Sequence, residues 1–489
     1  MPPKPGDPVE HPEFGPGILR QILGSIAVVE FYGEDLEVQT NDLRLLRSEP
    51  VPLEPERRTR DGVHFRQSFE ALNLGVVPPY PEELISLTIN GEEVSKTIAE
   101  WFVSARTKGL CKVVFGDYGS GKSHYLRLVE ASALKAGWVV ASIEFDPKEA
   151  DPAKPFLVYR ALMSNLRFPK REDGTVSRRF MDLVNEIRPR DRWANVSSGT
   201  YFRMSPWYRS TVHMLRHYQP EDTGRYLDAC NWLGGCPVPQ SVVRSMCREA
   251  GCKEYPPAMP RMRECADIYV FHLVVLDEIC RALRYKGLLL ILDEAEHVRG
   301  YNVQRKDRAN NFFDLLARCA HLPLHDETAP IPNDHNHDLP PFWKAGPHFG
   351  LVVGLTEGNI FSDPSLSLRD ACVFLHDKRD IVRLKKPTAH EYEEWCKRLL
   401  ERFHQHAPEA TLLLAEGVTR EKLARVLVDE FKKSTGGEIT LRLWIKLAAL
   451  VPSMILAGAT MKVEELQAKL QVAAQQASGR HLPWESYGA

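Results

Sequence analysis

The sequence predicts an α/β protein centred on a parallel sheet with helices on its faces, and three observations predict it. An apolar run, Cys111–Phe115, leads into the glycine-rich octet Gly116-Asp117-Tyr118-Gly119-Ser120-Gly121-Lys122-Ser123, and His124–Lys135 leads out with helical spacing of apolar residues. A second run, Gly287–Leu292, is unbroken and ends in Asp293-Glu294, as a strand buried on both faces does. Two further runs of strand length, Trp138–Phe145 and Phe349–Leu355, follow these and end at Asp146-Pro147 and Thr356-Glu357. Val373–Leu375 and Ile381–Leu384 read as later strands.

The octet fits the phosphate-binding loop G-x-x-x-x-G-K-[ST] at every required place. Its glycines let successive N–H groups turn inward around phosphate oxygens without Cβ clashes. The positive end of the helix that begins near His124 adds to that field. Lys122 would reach the β- and γ-phosphates, and the Ser123 hydroxyl would ligate Mg²⁺, so ATP and Mg²⁺ are the expected cofactors. The competing reading, a glycine-rich turn that binds nothing, is opposed by the flanking strand and helix.

Asp293 lies at the carboxyl end of its strand, where α/β sheets put ligands, and would support the metal. Its alternative is an N-cap of the next helix. Glu294 is placed to orient and polarise water, which a hydrolase needs and a nucleotide binder does not. Glu296 has two open readings: support for Glu294, or a first-turn acid favoured by the helix dipole.

A chain of 489 residues is long enough for several domains. A net charge of −2 gives no global field for nucleic acid or acidic membranes, so DNA contact would need a local basic patch. No stretch approaches the roughly twenty apolar residues of a membrane span. The start, Met1-Pro2-Pro3-Lys4-Pro5-Gly6, lacks the apolar core of a secretory signal, and a cytoplasmic protein is expected. Five of the ten cysteines (Cys230, Cys236, Cys247, Cys252, Cys265) crowd one stretch, but at spacings unlike common zinc sites. Buried thiols in a reducing compartment are expected there. His335 and His337 read as part of a solvated loop.

Residues 1–50 differ in kind. Turn-rich sequence precedes the short β-type runs Ile18–Leu23, Ile26–Tyr32 and Leu36–Gln39, punctuated by Gly24-Ser25 and Gly33-Glu34-Asp35. This pattern, with His11, Phe14, Gly15 and Gly17, resembles small SH3- or Tudor-like β-barrels attached to helicases and transcription factors. Such a barrel either docks a protein or nucleic acid or packs on its own chain. Residues 51–64 are proline-rich and charged, a linker. Residues 65–386 form the core, with helical patterns at Phe65–Leu74 and from Asn90-Gly91 to about Arg106.

About 170 residues separate Lys122 from Asp293, far more than a crossover needs. The excess, about 156–285, reads as a helical insertion. Arg178, Arg179, Arg188, Arg190, Arg192, Arg203 and Arg209 alternate there with Trp193, Tyr201, Phe202, Trp207 and Tyr208. That composition suits backbone phosphates and stacked bases, and equally suits helices packed by long amphipathic side chains. Residues 387–489 read as a helical lid and tail. It includes an amphipathic helix Glu391–His404, a helix Leu441–Leu450 with Thr440 as N-cap and Arg442 in its first turn, and a short helix from Met461.

From about Phe69 to Leu450 the chain resembles the BrxD-type ATP-binding proteins of bacterial BREX phage-exclusion systems, an AAA+-like group. The carrying residues are Ala71–Pro78, Phe115–His124, Val158–Leu162 and Lys286–Glu296. The resemblance implies a P-loop AAA+-like fold and an ATPase that works beside helicase- or methyltransferase-type defence proteins against phage DNA. It also implies that the segment before the phosphate loop cups the adenine. Here that segment reads Asn90-Gly91-Glu92-Glu93 where many relatives carry a Gly-Arg-Glu type. By likeness to AAA+ and related ATPases, Thr356 and Arg442 are candidate sensors of the γ-phosphate beside catalytic Glu294 and Lys122; the alternatives are a residue that merely ends its strand and a solvent-facing arginine. Arg305, Arg308, Arg369 and Arg379 are candidate arginine fingers, and a finger supplied by a neighbour implies a homo-oligomer.

Overall fold

The computed structural model of the protein describes residues 8–12, 15–31, 34–42, 44–45, 60–74, 77–78, 80–116, 119–169, 180–187, 189–218, 223–261, 265–321, 339–344, 347–356, 381–385, 387–406, 420–435, 444–446 and 448–449. Asp117, Tyr118, Arg178, Arg179, Arg188, His335, His337, Arg369, Val373–Leu375, Arg379, Thr440, Arg442 and the helix expected from Met461 lie outside them.

By its contacts the chain divides into two units, Met1–Val63 and His64–Ala489. The first holds an antiparallel sheet of β1 (Pro8–His11), β2 (Gly15–Leu23), β3 (Ile26–Phe31), β4 (Glu34–Gln39) and β5 (Arg44–Leu45), in the order β4-β3-β2-β1-β5. Val9, Leu19, Ala27, Val29 and Val38 make its small core. A register shift between Leu19 and Gln21 bends β2. Among the described residues no pairing joins β4 to β5.

The second unit is built on β6 (Cys111–Gly116), β7 (Val139–Glu144), β8 (Leu166–Arg167), β9 (Leu288–Asp293), β10 (Gly350–Thr356) and β11 (Ile381–Arg383). Their order is β11-β6-β10-β9-β7-β8, parallel throughout except for β8. All six residues of β9 are buried. Leu288, Leu290 and Leu292 enter one core cluster, while Leu289 and Ile291 enter another. This is period-two alternation with apolar cover on both sides, the physical origin of the unbroken apolar run.

On one face lie α2 (Pro81–Ser86), α3 (Gly91–Lys108) and α4 (Lys122–Lys135), which bury Leu84, Ile98, Trp101, Leu126 and Val129 against Val114, Val140 and Val352. Before them runs α1 (Arg60–Leu74), which begins inside the stretch whose composition predicts a linker. The other face carries α5 (Pro155–Ser164), and then α6 (Phe180–Ile187), α7 (Arg190–Ser197), α8 (Thr200–Met204), α9 (Pro206–His217), α10 (Thr223–Leu233), α11 (Gln240–Glu249), α12 (Ala266–Ala282) and α13 (Val303–Ala320). Helices α14 (Ala389–His406) and α15 (Arg420–Thr435) follow the sheet. None of the described helices is long and apolar enough to cross a membrane.

The insertion departs from its expected form in two ways. It is not wholly helical: after α5 the chain returns to the sheet edge as β8, where Arg167 pairs with the buried carboxylate of Glu130 on α4. Three of the five aromatics singled out in its sequence also point inward, while Trp193 and Tyr201 are half-buried. Phe202, Trp207 and Tyr208 are at most 2% exposed, so they are core residues and not a stacking platform for bases. The cysteines of this region are free thiols, with Cys230, Cys247 and Cys265 buried. Among the described residues no group of three His, Cys, Asp or Glu side chains could hold a metal ion.

His272 of α12 is fully buried among the rings of Tyr159, Trp207, Tyr208 and Tyr269, with neither ring nitrogen hydrogen-bonded. Burial lowers its pKa from 6.5 to about 3. The unfolded chain therefore binds a proton here between those values that the native state refuses, so acid weakens the fold by about 1.4 kcal/mol per pH unit across that window. His272→Leu is expected to flatten the fall in denaturant midpoint between pH 6.5 and pH 4 relative to the wild type. An unchanged slope would refute this assignment.

Candidate functional site

The carboxyl ends of β6, β9 and β10 converge. Because β10 lies between β6 and β9, the loop after β6 and the acids after β9 face each other across the end of one intervening strand. The loop turns at Gly119 (φ +75°) and Gly121 (φ +93°), conformations that L side chains adopt only with strain, and Lys122 opens α4. Lys122 is buried, whereas Ser123 stays exposed.

Ser123 Oγ donates to Asp293 Oδ2 at 2.7 Å. The other oxygen, Oδ1, accepts the Glu294 amide at 2.8 Å and lies 3.4 Å from Lys122 Nζ. Lys122 donates to Thr356 Oγ1 at 2.9 Å and to Glu296 Oε1 at 3.1 Å, and Thr356 donates in turn to Glu296. Burial alone would push the Glu296 carboxyl up, but the Thr356 hydroxyl and the Lys122 charge together hold it below the usual carboxylate range.

The structure thus brings together Lys122, Ser123, Asp293 and Thr356, and adds Glu296, for which the sequence leaves two readings open. Glu294 sits differently. It has a positive φ of 58°, and its carboxylate is turned to His297 Nε2 at 2.8 Å and to Glu144 at the end of β7. The Glu144 carboxyl is raised, first by partial burial and then by the Glu294 and Asp293 charges. Neither Glu144 nor His297 has a sequence signal; the register that sets Glu144 beside Asp293 puts the first of them there.

His124 faces the helical layer and not the loop. Its Nε2 is 2.6 Å from Thr88 Oγ1, and Thr88 is itself 2.6 Å from the Leu84 carbonyl. A hydroxyl has one proton, so Thr88 gives it to Leu84 and the imidazole donates from Nε2. Burial lowers the His124 pKa to about 4, consistent with a neutral ring. The same turn receives Trp395 Nε1 at the Leu87 carbonyl (2.6 Å) and Arg398 at the Thr88 carbonyl (3.0 Å), both from α14. Of the finger candidates, Arg305 is engaged inside its own unit, stacked on Tyr301 and paired with the buried Asp151 at 2.9 Å.

A phosphate and a divalent cation fit these residues. Among the described residues Ser120 Oγ, in the loop, is buried without a hydrogen-bond partner, as a group that meets an anion would be. Ser123 and Asp293 supply adjacent hard oxygen ligands of the type Mg²⁺ takes through one carboxylate and a substrate phosphate.

Residues 64–190 match the family model described as BREX system ATP-binding protein BrxC/D. The resemblance carried by Ala71–Pro78 and the phosphate loop therefore holds across that segment, which runs from α1 to the start of α7. It ends before Asp293, Glu296 and Thr356. No curated protein and no solved structure matches the chain.

Gly354 on β10 decides whether the acid can sit where it does. A Cβ there would come within 2.5 Å of Asp293 Oδ1 and 2.8 Å of Leu126 Cδ1. Gly354→Ala is expected to push Asp293 off Ser123 and weaken Mg²⁺-dependent nucleotide binding by about 10- to 100-fold. A folded variant with wild-type affinity would contradict the placement.

Proposed function

We propose that the protein is a Mg²⁺-dependent, AAA+-like ATPase that couples its nucleotide state to a DNA-associated anti-phage defence assembly. The convergence of Lys122, Ser123 and Asp293 carries this reading, since Ser123 and Asp293 lie 170 positions apart yet touch. The BREX family match around the phosphate loop supports ATP as the nucleotide and defence proteins as the partners.

In this reading the loop amides from Gly116 to Ser123 and the Lys122 ammonium hold the phosphates. Ser123 and Asp293 would hold Mg²⁺, which would supply charge neutralisation for the transferred phosphoryl group. Glu294 takes a proton from water as its oxygen attacks the γ-phosphorus, and the bond to the β-phosphate oxygen breaks to release ADP and phosphate. Thr356 and Arg442 act as contacts to the γ-phosphate. Arg305 is paired with Asp151; Arg308, Arg369 and Arg379 stay candidate fingers, and a finger supplied by a second copy would make the protein a homo-oligomer. Arg190, Arg192 and Arg203 are exposed on the insertion, with Arg192 near Glu186 at 3.7 Å and Arg203 donating to the Gly199 carbonyl, and they would be the groups to meet DNA phosphates.

One observation favours a second reading, a nucleotide-gated scaffold with little turnover: the Glu294 carboxylate is engaged by His297 and Glu144. Steady-state phosphate release separates the two. The ATPase reading expects wild-type turnover that Glu294→Gln lowers by about 100-fold or more. Equal, near-zero rates in both proteins would remove hydrolysis and leave the scaffold.

A further inference from the structure

Lys122 offers three N–H donors, and three protein oxygens already surround them: Thr356 Oγ1 at 2.9 Å, Glu296 Oε1 at 3.1 Å and Asp293 Oδ1 at 3.4 Å. A phosphate can take a place at this ammonium only if one of them gives way. Thr356 is neutral and repels no anion. Asp293 is fixed from two other sides, by the Ser123 hydroxyl and the Glu294 amide.

Glu296 is held through one oxygen, by Lys122 and the Thr356 hydroxyl, and it is the charged neighbour of Lys122 that does not touch Ser123. Among the described residues only one of its oxygens is used, and Oε2 is buried with no hydrogen-bond partner, an arrangement that carries a desolvation penalty. The 3-10 turn that carries it, Ala295–Gly300, is entered through Glu294 at φ 58° and ψ 34°, a left-handed conformation that a non-glycine residue adopts only at a cost. Movement of the turn would relieve both penalties. It would also take away a negative charge that a triphosphate must otherwise approach in a site of low dielectric.

Building on the nucleotide reading above, we infer that Glu296 is a displaceable counter-ion of Lys122, standing in for the terminal phosphate of a nucleoside triphosphate until that phosphate expels it. Binding of the triphosphate and release of Glu296 are then one event. Glu294 leads into this turn and His297 lies on it, so the movement that frees Lys122 also shifts the backbone that holds both. The lock acts chiefly against the third phosphate, because that phosphate competes for the same contact.

Equilibrium binding of methylanthraniloyl-labelled ATP and ADP to the full chain tests this. Glu296→Gln keeps the side-chain shape and removes the charge. It should tighten ATP about tenfold, the scale of one charge-assisted hydrogen bond, and change ADP much less. A like change for both nucleotides, including none, or weaker ATP binding, would overturn the inference. Retained ADP binding reports that the variant is folded; if Glu296→Gln loses it, Glu296→Ala is read by the same two outcomes. Lys122→Ala serves as the separate arm. Should it bind ATP as tightly as the wild type, the nucleotide reading itself fails, whatever Glu296 does.

Discussion

One buried ammonium holds the candidate site together. Lys122 is 9% exposed, and a lone charge at that depth would cost several kcal/mol, so partners must come to it. They come from different strands: Asp293 and Glu296 from the end of β9, and Thr356 from the end of β10. Neutralising this one charge draws together segments that are far apart in the chain. The cluster is therefore a tie between strand ends as well as a place for phosphate.

The sheet makes that tie possible. Strand β10 between β6 and β9 sets the width of the cleft, and Gly354 leaves room for Asp293. Both faces are covered by apolar helices, so the strands are held rigidly and their carboxyl ends present side chains in fixed positions. Beyond the sheet, the turn around Thr88 meets His124 of the loop helix on one side and Trp395 and Arg398 of α14 on the other. A shift at the start of α4 thus has a short, hydrogen-bonded route to the helices that follow the sheet.

Much of this was legible from local pattern, because the governing forces are local. A glycine octet between a strand and a helix, and an apolar run ending in two acids, state their geometry through backbone sterics and period-two burial. Thr356 was readable as the polar end of an apolar strand. Other features depend on contacts between distant segments. Glu296 reaches Lys122 only because Glu294 takes a left-handed turn, and no spacing announces that. Arg305, one of four candidate fingers in the sequence, pairs with the buried Asp151, a contact that no spacing announces. For Trp207 and Tyr208 composition leaves base stacking and helix packing equally open, and only their burial decides for packing. The edge strand β8 was hidden by its two-residue length.

Calorimetric titration of ATP into the full chain, with Mg²⁺ and with chelator, tests the centre of this account most directly. The wild type should bind ATP more tightly with Mg²⁺, Asp293→Ala should lose that metal-dependent increment, and Lys122→Ala should lose most of the binding in either condition. Metal-independent affinity that survives both substitutions would contradict a phosphate site built on Lys122 and Asp293.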